Sequence, residues 1–199
     1  MKDMKIVEAV VFDLDGTLIQ SKIDYEKMRR RAVDILAEAG APTGEFVHSR
    51  RVWEIIMGGE AMLKEMGLST ERRRESVRQI NEALNAIELE AVDEVKPTPY
   101  AHEALEELRG RGLRIGVATR SCNAYAIRSL ELTELVRFIE VLLARDDVDH
   151  PKPDPRHLLQ VVEAMGASLS TVVFVGDTTT DMKTAEEAGI VFIGFLRDD

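Results

Sequence analysis

Asp13 and Asp15 stand two residues apart in "VVFDLDGTL", closing a run with the length and β-branched content of a buried strand. Strand alternation turns both carboxylates to the same side. Two like charges about 4 Å apart repel by roughly 4 kcal/mol at an effective dielectric near 20. Either one of them is protonated, therefore, or a cation lies between them. Three further segments put reactive side chains where strands should end: Thr119 in "GVATRSCN", Lys152 in "HPKPDP", and Asp177 with Asp181 in "VFVGDTTTD". If the first and fourth strands are neighbours, Asp177 brings a third carboxylate to the pair. Hard oxygen donors suit Mg²⁺ better than Zn²⁺, for which the chain offers no Cys/His cluster. A metal beside a free carboxylate can bring a phosphate ester to a nucleophile. Thr119 and Lys152 supply a hydroxyl and a cation for the non-bridging oxygens, and Gly16 permits a sharp turn that exposes amide N–H groups to the same end. Phosphoryl transfer is mostly positioning and charge neutralisation, which these parts provide. A charged surface turn would account for the acid pair alone, but not for the pair together with the other three segments.

Five short runs read as buried strands: Ile6 to Phe12, Arg114 to Ala118, Ile139 to Ala144, Val172 to Val175 and Val191 to Phe195. Between the later runs, Ala101, Ala104, Leu105 and Leu108 repeat at helical spacing, as do Leu158, Val161, Val162 and Met165. Alternating strands and helices predict an α/β fold with a parallel five-stranded sheet flanked by helices. One connection is too long. About 100 residues separate Asp13 from Arg114, whereas a βαβ unit needs about 30. The excess is helical in pattern, for example over Tyr25 to Ala39 and Thr70 to Leu89, and Pro97 and Pro99 mark the return to the sheet, with Pro99 suited to a helix start. The expected organisation is a core of residues 1–20 and 95–199 carrying an inserted α-helical subdomain of residues 21–94. Its attachment at the carboxyl end of the first strand, where open α/β sheets bind ligands, places the insert to act as a lid.

Composition narrows the function classes. With 199 residues, 45% hydrophobic and 31% charged, the chain reads as an ordinary globular protein. A net charge of −10 disfavours a nucleic-acid partner. The basic clusters Arg29-Arg30-Arg31, Arg50-Arg51 and Arg72-Arg73-Arg74 sit among glutamates, as on solvated helix faces. No stretch approaches the ~18 apolar residues of a membrane span, and nothing in Met1 to Lys5 resembles a signal peptide. A cytoplasmic location is expected. The single Cys122 forms no internal disulfide and is read as a small buried residue. His48, Arg50, Arg51 and Trp53 form a polar-aromatic cluster in the insert, either facing substrate or with Trp53 filling a core. Gly58-Gly59 is read as an interhelical turn or a hinge, and His102, His150 and His157 as structural.

"FDLDGTL", a strand-end Thr, "KPDP" and "GDTTTD", in this order, closely resemble the haloacid dehalogenase superfamily of phosphohydrolases, over residues 6 to 20 and about 97 to 195. The resemblance implies a Rossmann-like core and a small phosphorylated metabolite as substrate. It implies Asp13 as the nucleophile that forms an aspartyl-phosphate, and Asp15 as general acid and base with its backbone carbonyl on Mg²⁺. Gly16, Thr17, Thr119 and Lys152 would bind substrate, Lys152 also steadying Asp13, while Arg120, where the chain departs from the family, is read on its own as a contact for a substrate carboxylate. Asp177 would be a direct metal ligand, and Asp181 a ligand or a supporting carboxylate. An insert directly after the first motif resembles the helical cap of the phosphoglycolate phosphatase branch. The chain departs from the pattern at Arg120, where many relatives have Asn or Gly, and at Thr178, where many have Ser. The presence of Asp15 argues against the dehalogenase branch. A phosphomutase would share the same core motifs. A receiver-type signalling domain would be shorter, without an insert, and would have no place for "GDTTTD".

Overall fold

A computed structural model describes residues 7–44, 46, 49 and 51–196. Strand β1 (Ala9–Phe12) is flanked on both sides by parallel partners, β4 (Arg114–Ala118) and β6 (Val172–Gly176), in the register Phe12↔Val117 and Phe12↔Val175. β5 (Val141–Leu143) and β7 (Val191–Gly194) extend the two edges, giving a five-stranded parallel sheet in the order β5-β4-β1-β6-β7. The chain runs outward from β1 through β4 to β5, then returns to build β6 and β7 on the other side. That reversal makes the carboxyl end of β1 the switch point at which such sheets bind ligands.

The sheet is α/β and Rossmann-like, as the alternation of patterns predicts. One face is sealed by α6 (Pro155–Ala164) and α7 (Thr179–Ala188): Ala9, Val11 and Phe174 pack with Leu158, Val161, Val162, Met165 and Ala185, all nearly inaccessible. The alternate residues Val10, Phe12, Ile115 and Val117 are buried away from that cluster, and α4 (Ala101–Gly110) packs beside β4. β1, β5 and β7 are shorter than the apolar runs, whereas β4 coincides with its run and β6 extends its run to Gly176. Of the first run, Ile6 lies outside the described residues, and Val7 and Glu8 precede the ladder. Ile139 follows a 3₁₀ turn, Val136–Phe138, instead of joining β5. Pro99 precedes α4 by two residues because Tyr100, with φ 64°, turns the chain first. A two-stranded antiparallel ribbon, β2 (Ile19–Gln20) with β3 (Lys96–Pro97), follows the β1 turn and had no signature in the sequence.

The chain divides into two compact units, one of residues up to Lys22 and from Val92 onward, the other Ile23–Ala91. The second unit is helical: α1 (Tyr25–Glu38), α2 (Val52–Glu65) and α3 (Thr70–Glu90). Each buries a stripe at helical spacing: Met28, Ala32, Ile35 and Leu36; Ile55, Gly59 and Leu63; Ile80, Leu84 and Ile87. Asp24 and Ser69 cap α1 and α3 by accepting from the amides of Lys27 and Arg72. Gly58 and Gly59 form no interhelical turn; they lie inside α2. A Cβ on Gly59 would meet the Leu36 side chain at 2.3–2.9 Å, so α1 and α2 approach through the missing side chain. Within the basic clusters, Arg73 pairs with Glu60 at 3.3 Å and ties α3 to α2. His48 and Arg50 lie outside the described residues.

Candidate active site

The Asp13 amide donates to the Val175 carbonyl, so the β1–β6 ladder carries Asp13 to the level of Gly176 and Asp177. Thr119, whose amide donates to Leu143, occupies the matching end of β4. Three of the sequence-selected carboxylates meet here. One oxygen each from Asp13, Asp177 and Asp181 lie within 4.8 Å of one another. Gly16, at φ 86°, closes the turn after β1, and a Cβ there would strike the Asp177 carboxylate at 2.1 Å. Only glycine fits both the backbone and the contact.

Lys152 supplies the counter-charge. It is 1% exposed, and its ammonium donates to Asp13 Oδ1 at 2.7 Å and Asp181 Oδ1 at 2.6 Å, 5.2 Å from the centre of the Phe174 ring. Burial alone would lower its pKa; the two carboxylates outweigh it, and the pKa lies above the ordinary lysine value. The two acids diverge. Burial pushes Asp13 up to about 7, against the pull of Lys152 and with the help of the Asp181 and Asp15 charges. Asp181, also opposed by burial, is held below the ordinary carboxylate range by Lys152 and by the amide and hydroxyl of Thr178.

The backbone of Lys152 is pinned as firmly as its side chain. Its N–H donates to His157 Nδ1 at 3.1 Å, and His157 Nε2 lies 3.0 Å from the Leu143 carbonyl. A carbonyl only accepts, so Nε2 carries the proton and Nδ1 is free to accept. Burial and the Lys152 charge lower the His157 pKa to about 4 and keep the ring neutral. The Arg120 guanidinium donates to the Lys152 carbonyl, and Arg145 donates to the Arg120 carbonyl. Arg120, read from sequence as a substrate contact, thus braces the loop of Lys152.

Asp15 stands apart from the carboxylate cluster. Its Oδ2 accepts from Ser121 Oγ at 2.7 Å and its Oδ1 from the Tyr125 hydroxyl at 2.9 Å. Burial and the Asp15 charge raise the Tyr125 pKa well above the ordinary tyrosine value, so the phenol stays a donor. Thr119 is buried, its Oγ1 accepting from the Ser121 amide. Thr17 is buried, with no hydrogen-bond partner for its hydroxyl among the described residues. The amides of Gly16 and Thr17 close the turn on the Ile19 and Leu14 carbonyls. Sequence reasoning missed Ser121 and Tyr125; His157, read as structural, is buried and supports the Lys152 loop. Ser121 had a weak signal, a hydroxyl two residues past the strand-end Thr.

The haloacid dehalogenase-like hydrolase family model matches residues 10–195. The chain belongs to that family. It is 27% identical to the phosphoglycolate phosphatase of Escherichia coli (strain K12), over 98% of this chain and 83% of that one. It is equally identical to a phosphorylated carbohydrates phosphatase of Thermotoga maritima, over 92% and 82%. Among solved structures, a hydrolase of the same superfamily from Geobacter sulfurreducens superimposes with a TM-score of 0.56 at 25% identity, covering 94% of this chain and 89% of that one. Family membership and these phosphatase relatives make this family member a phosphatase. Among the described residues no helix is long and apolar enough to cross a membrane.

Proposed function

We propose that this phosphatase hydrolyses the monoester of a small phosphorylated metabolite through an aspartyl-phosphate on Asp13, with Mg²⁺ as its cofactor. The observation that carries the reading is the buried ammonium of Lys152 between Asp13 and Asp181, with Asp177 in the same cluster. In this mechanism an Asp13 oxygen attacks phosphorus as the bond to the leaving oxygen breaks. Asp15 gives that oxygen its proton. Asp15 then takes a proton from the water that attacks the aspartyl-phosphate, which frees inorganic phosphate and restores Asp13. Lys152 and the Thr119 hydroxyl offset the charge on the non-bridging oxygens.

The donor set fits Mg²⁺: clustered carboxylate oxygens without nitrogen or sulfur. Asp13, Asp177 and the Asp15 backbone carbonyl would hold the ion. Asp181, whose oxygens already serve Lys152 and Thr178, supports from behind. Bound there, Mg²⁺ supplies charge neutralisation for the phosphoryl group. Residues 21–94 are part of the same proposal as the helical cap that selects substrate; their insertion directly after the Asp13 motif supports it. The E. coli relative makes 2-phosphoglycolate the first metabolite to try. A cytoplasmic site of action accords with such a substrate.

The test is phosphate release from p-nitrophenyl phosphate with Mg²⁺ or with EDTA, for wild type and Asp13→Asn. Release that needs Mg²⁺ and is absent from the variant is expected, followed by a metabolite panel. EDTA-resistant turnover would remove the metal from the proposal, and turnover by Asp13→Asn would remove the nucleophile. Isomerisation of a sugar phosphate without phosphate release would make the enzyme a mutase.

A further inference from the structure

We propose that Ser121 and Tyr125 are positioning residues for Asp15, fixing the carboxylate that handles the proton of the leaving group. The inference rests on the reading of Asp15 as general acid and base. The two hydroxyls come from one short segment, the turn after β4 and the start of α5 (Asn123–Leu132), four residues apart. Asp15 is more than a hundred residues away in sequence. Each carboxylate oxygen receives its own donor, Oδ2 from Ser121 at 2.7 Å and Oδ1 from Tyr125 at 2.9 Å. Two separate anchors fix the plane of the carboxylate where one would leave it free to rotate.

The anchors are themselves held. The Ser121 amide donates to Thr119 Oγ1 at 3.1 Å, and the Ser121 carbonyl accepts from the Arg145 amide at 3.1 Å. Asp146 accepts from the Asn123 amide at 2.7 Å and fixes the start of α5. Tyr125 is wholly inaccessible. Phenylalanine would fill the same space, so what the hydroxyl adds is polar: its bond to Asp15 and its approach to the Ser21 and Ser129 hydroxyls.

A placed proton donor matters in proportion to how badly the leaving oxygen needs a proton. The test is kcat/KM for ethyl, phenyl, p-nitrophenyl and 2,4-dinitrophenyl phosphate, for wild type, Tyr125→Phe, Ser121→Ala and Asp15→Ala, alongside Tm. Acid–base catalysis contributes about 10²–10⁴-fold. Misplacing the donor should forfeit part of that, roughly tenfold or more with ethyl and phenyl phosphate for Tyr125→Phe. With 2,4-dinitrophenyl phosphate, whose phenolate leaves unprotonated, the loss should stay within about twofold. Ser121→Ala should show the same pattern, and carries the test alone if Tyr125→Phe does not fold. A loss equal across the series, or no loss, in the positioning variants overturns the proposal when Asp15→Ala is selective. If Asp15→Ala itself loses equally on every ester, it is the acid–base reading that fails.

Discussion

Asp13 is buried among acids, so replacing it with Asn should stabilise the metal-free protein while abolishing turnover. Its pKa rises from an ordinary 3.8 to about 7, chiefly through burial, with Asp181 and Asp15 adding to it and Lys152 opposing. At about 1.4 kcal/mol per tenfold change in proton affinity, that displacement is worth on the order of 4 kcal/mol. The sign follows from proton uptake. Below pH 3.8 the side chain is protonated folded or unfolded and contributes nothing. From there to about 7 only the unfolded chain ionises it, so native stability falls as pH rises. Above 7 the folded protein carries the full cost of the buried anion. Asn stays neutral throughout, and Asp181, 2.6 Å from the Lys152 ammonium in the wild type, remains as its partner.

The assay is urea unfolding in EDTA at pH 5 and pH 8. At pH 8 the variant should be more stable by about 2–4 kcal/mol, on the order of 10 °C in Tm for a chain of this size. At pH 5 the gap should shrink, because wild-type Asp13 is then largely protonated when folded. Adding Mg²⁺ at about a hundred times its dissociation constant should raise wild type by about 2.7 kcal/mol and leave Asp13→Asn nearly unmoved. An Asn variant no more stable than wild type at pH 8, or a gap independent of pH, would refute the reasoning.

Other perturbations act on the supports. Lys152→Met leaves Asp13 and Asp181 buried without their cation and should cost about 3–5 kcal/mol in urea unfolding at pH 8, with the deficit narrowing at pH 5 as Asp13 protonates. His157→Phe removes both the acceptor for the Lys152 amide and the donor to Leu143 from a fully buried position. A loss of about 2–4 kcal/mol is expected, with phosphatase activity falling further than the folded fraction does. Gly59→Val drives a side chain into Leu36 and should lower stability by about 1–3 kcal/mol, read as a drop in Tm.

What could be read from sequence was what sits at the end of a strand. An apolar run followed by an acid, a Thr or a Gly-Asp announces both the strand and the residue it delivers, as with Asp13, Thr119 and Asp177. The supports carry no such punctuation. His157 and Tyr125 lie on buried faces of α6 and α5, where an imidazole or a phenol looks like any other space-filling ring. Only the fold brings Lys152 against one and Asp15 against the other. The glycine pair misled for a related reason. Glycine in a helix costs about 1 kcal/mol by propensity, which favours a turn, yet the contact of Gly59 with Leu36 outweighs that preference and can be seen only once α1 and α2 are packed.

Arg120 shows how far such supports shape the chemistry. A cation next to a strand-end Thr invites a role at the substrate, and nothing local contradicts it. In the fold its guanidinium is bonded to the carbonyl of Lys152 while its own carbonyl is held by Arg145. Lys152, proposed above to offset the charge on the phosphoryl group, is thereby fixed at its amide, its carbonyl and its ammonium by three different elements of the core. A long, flexible side chain becomes a point charge in a set place, and the rotamer entropy that a free lysine would lose on meeting substrate is lost during folding instead.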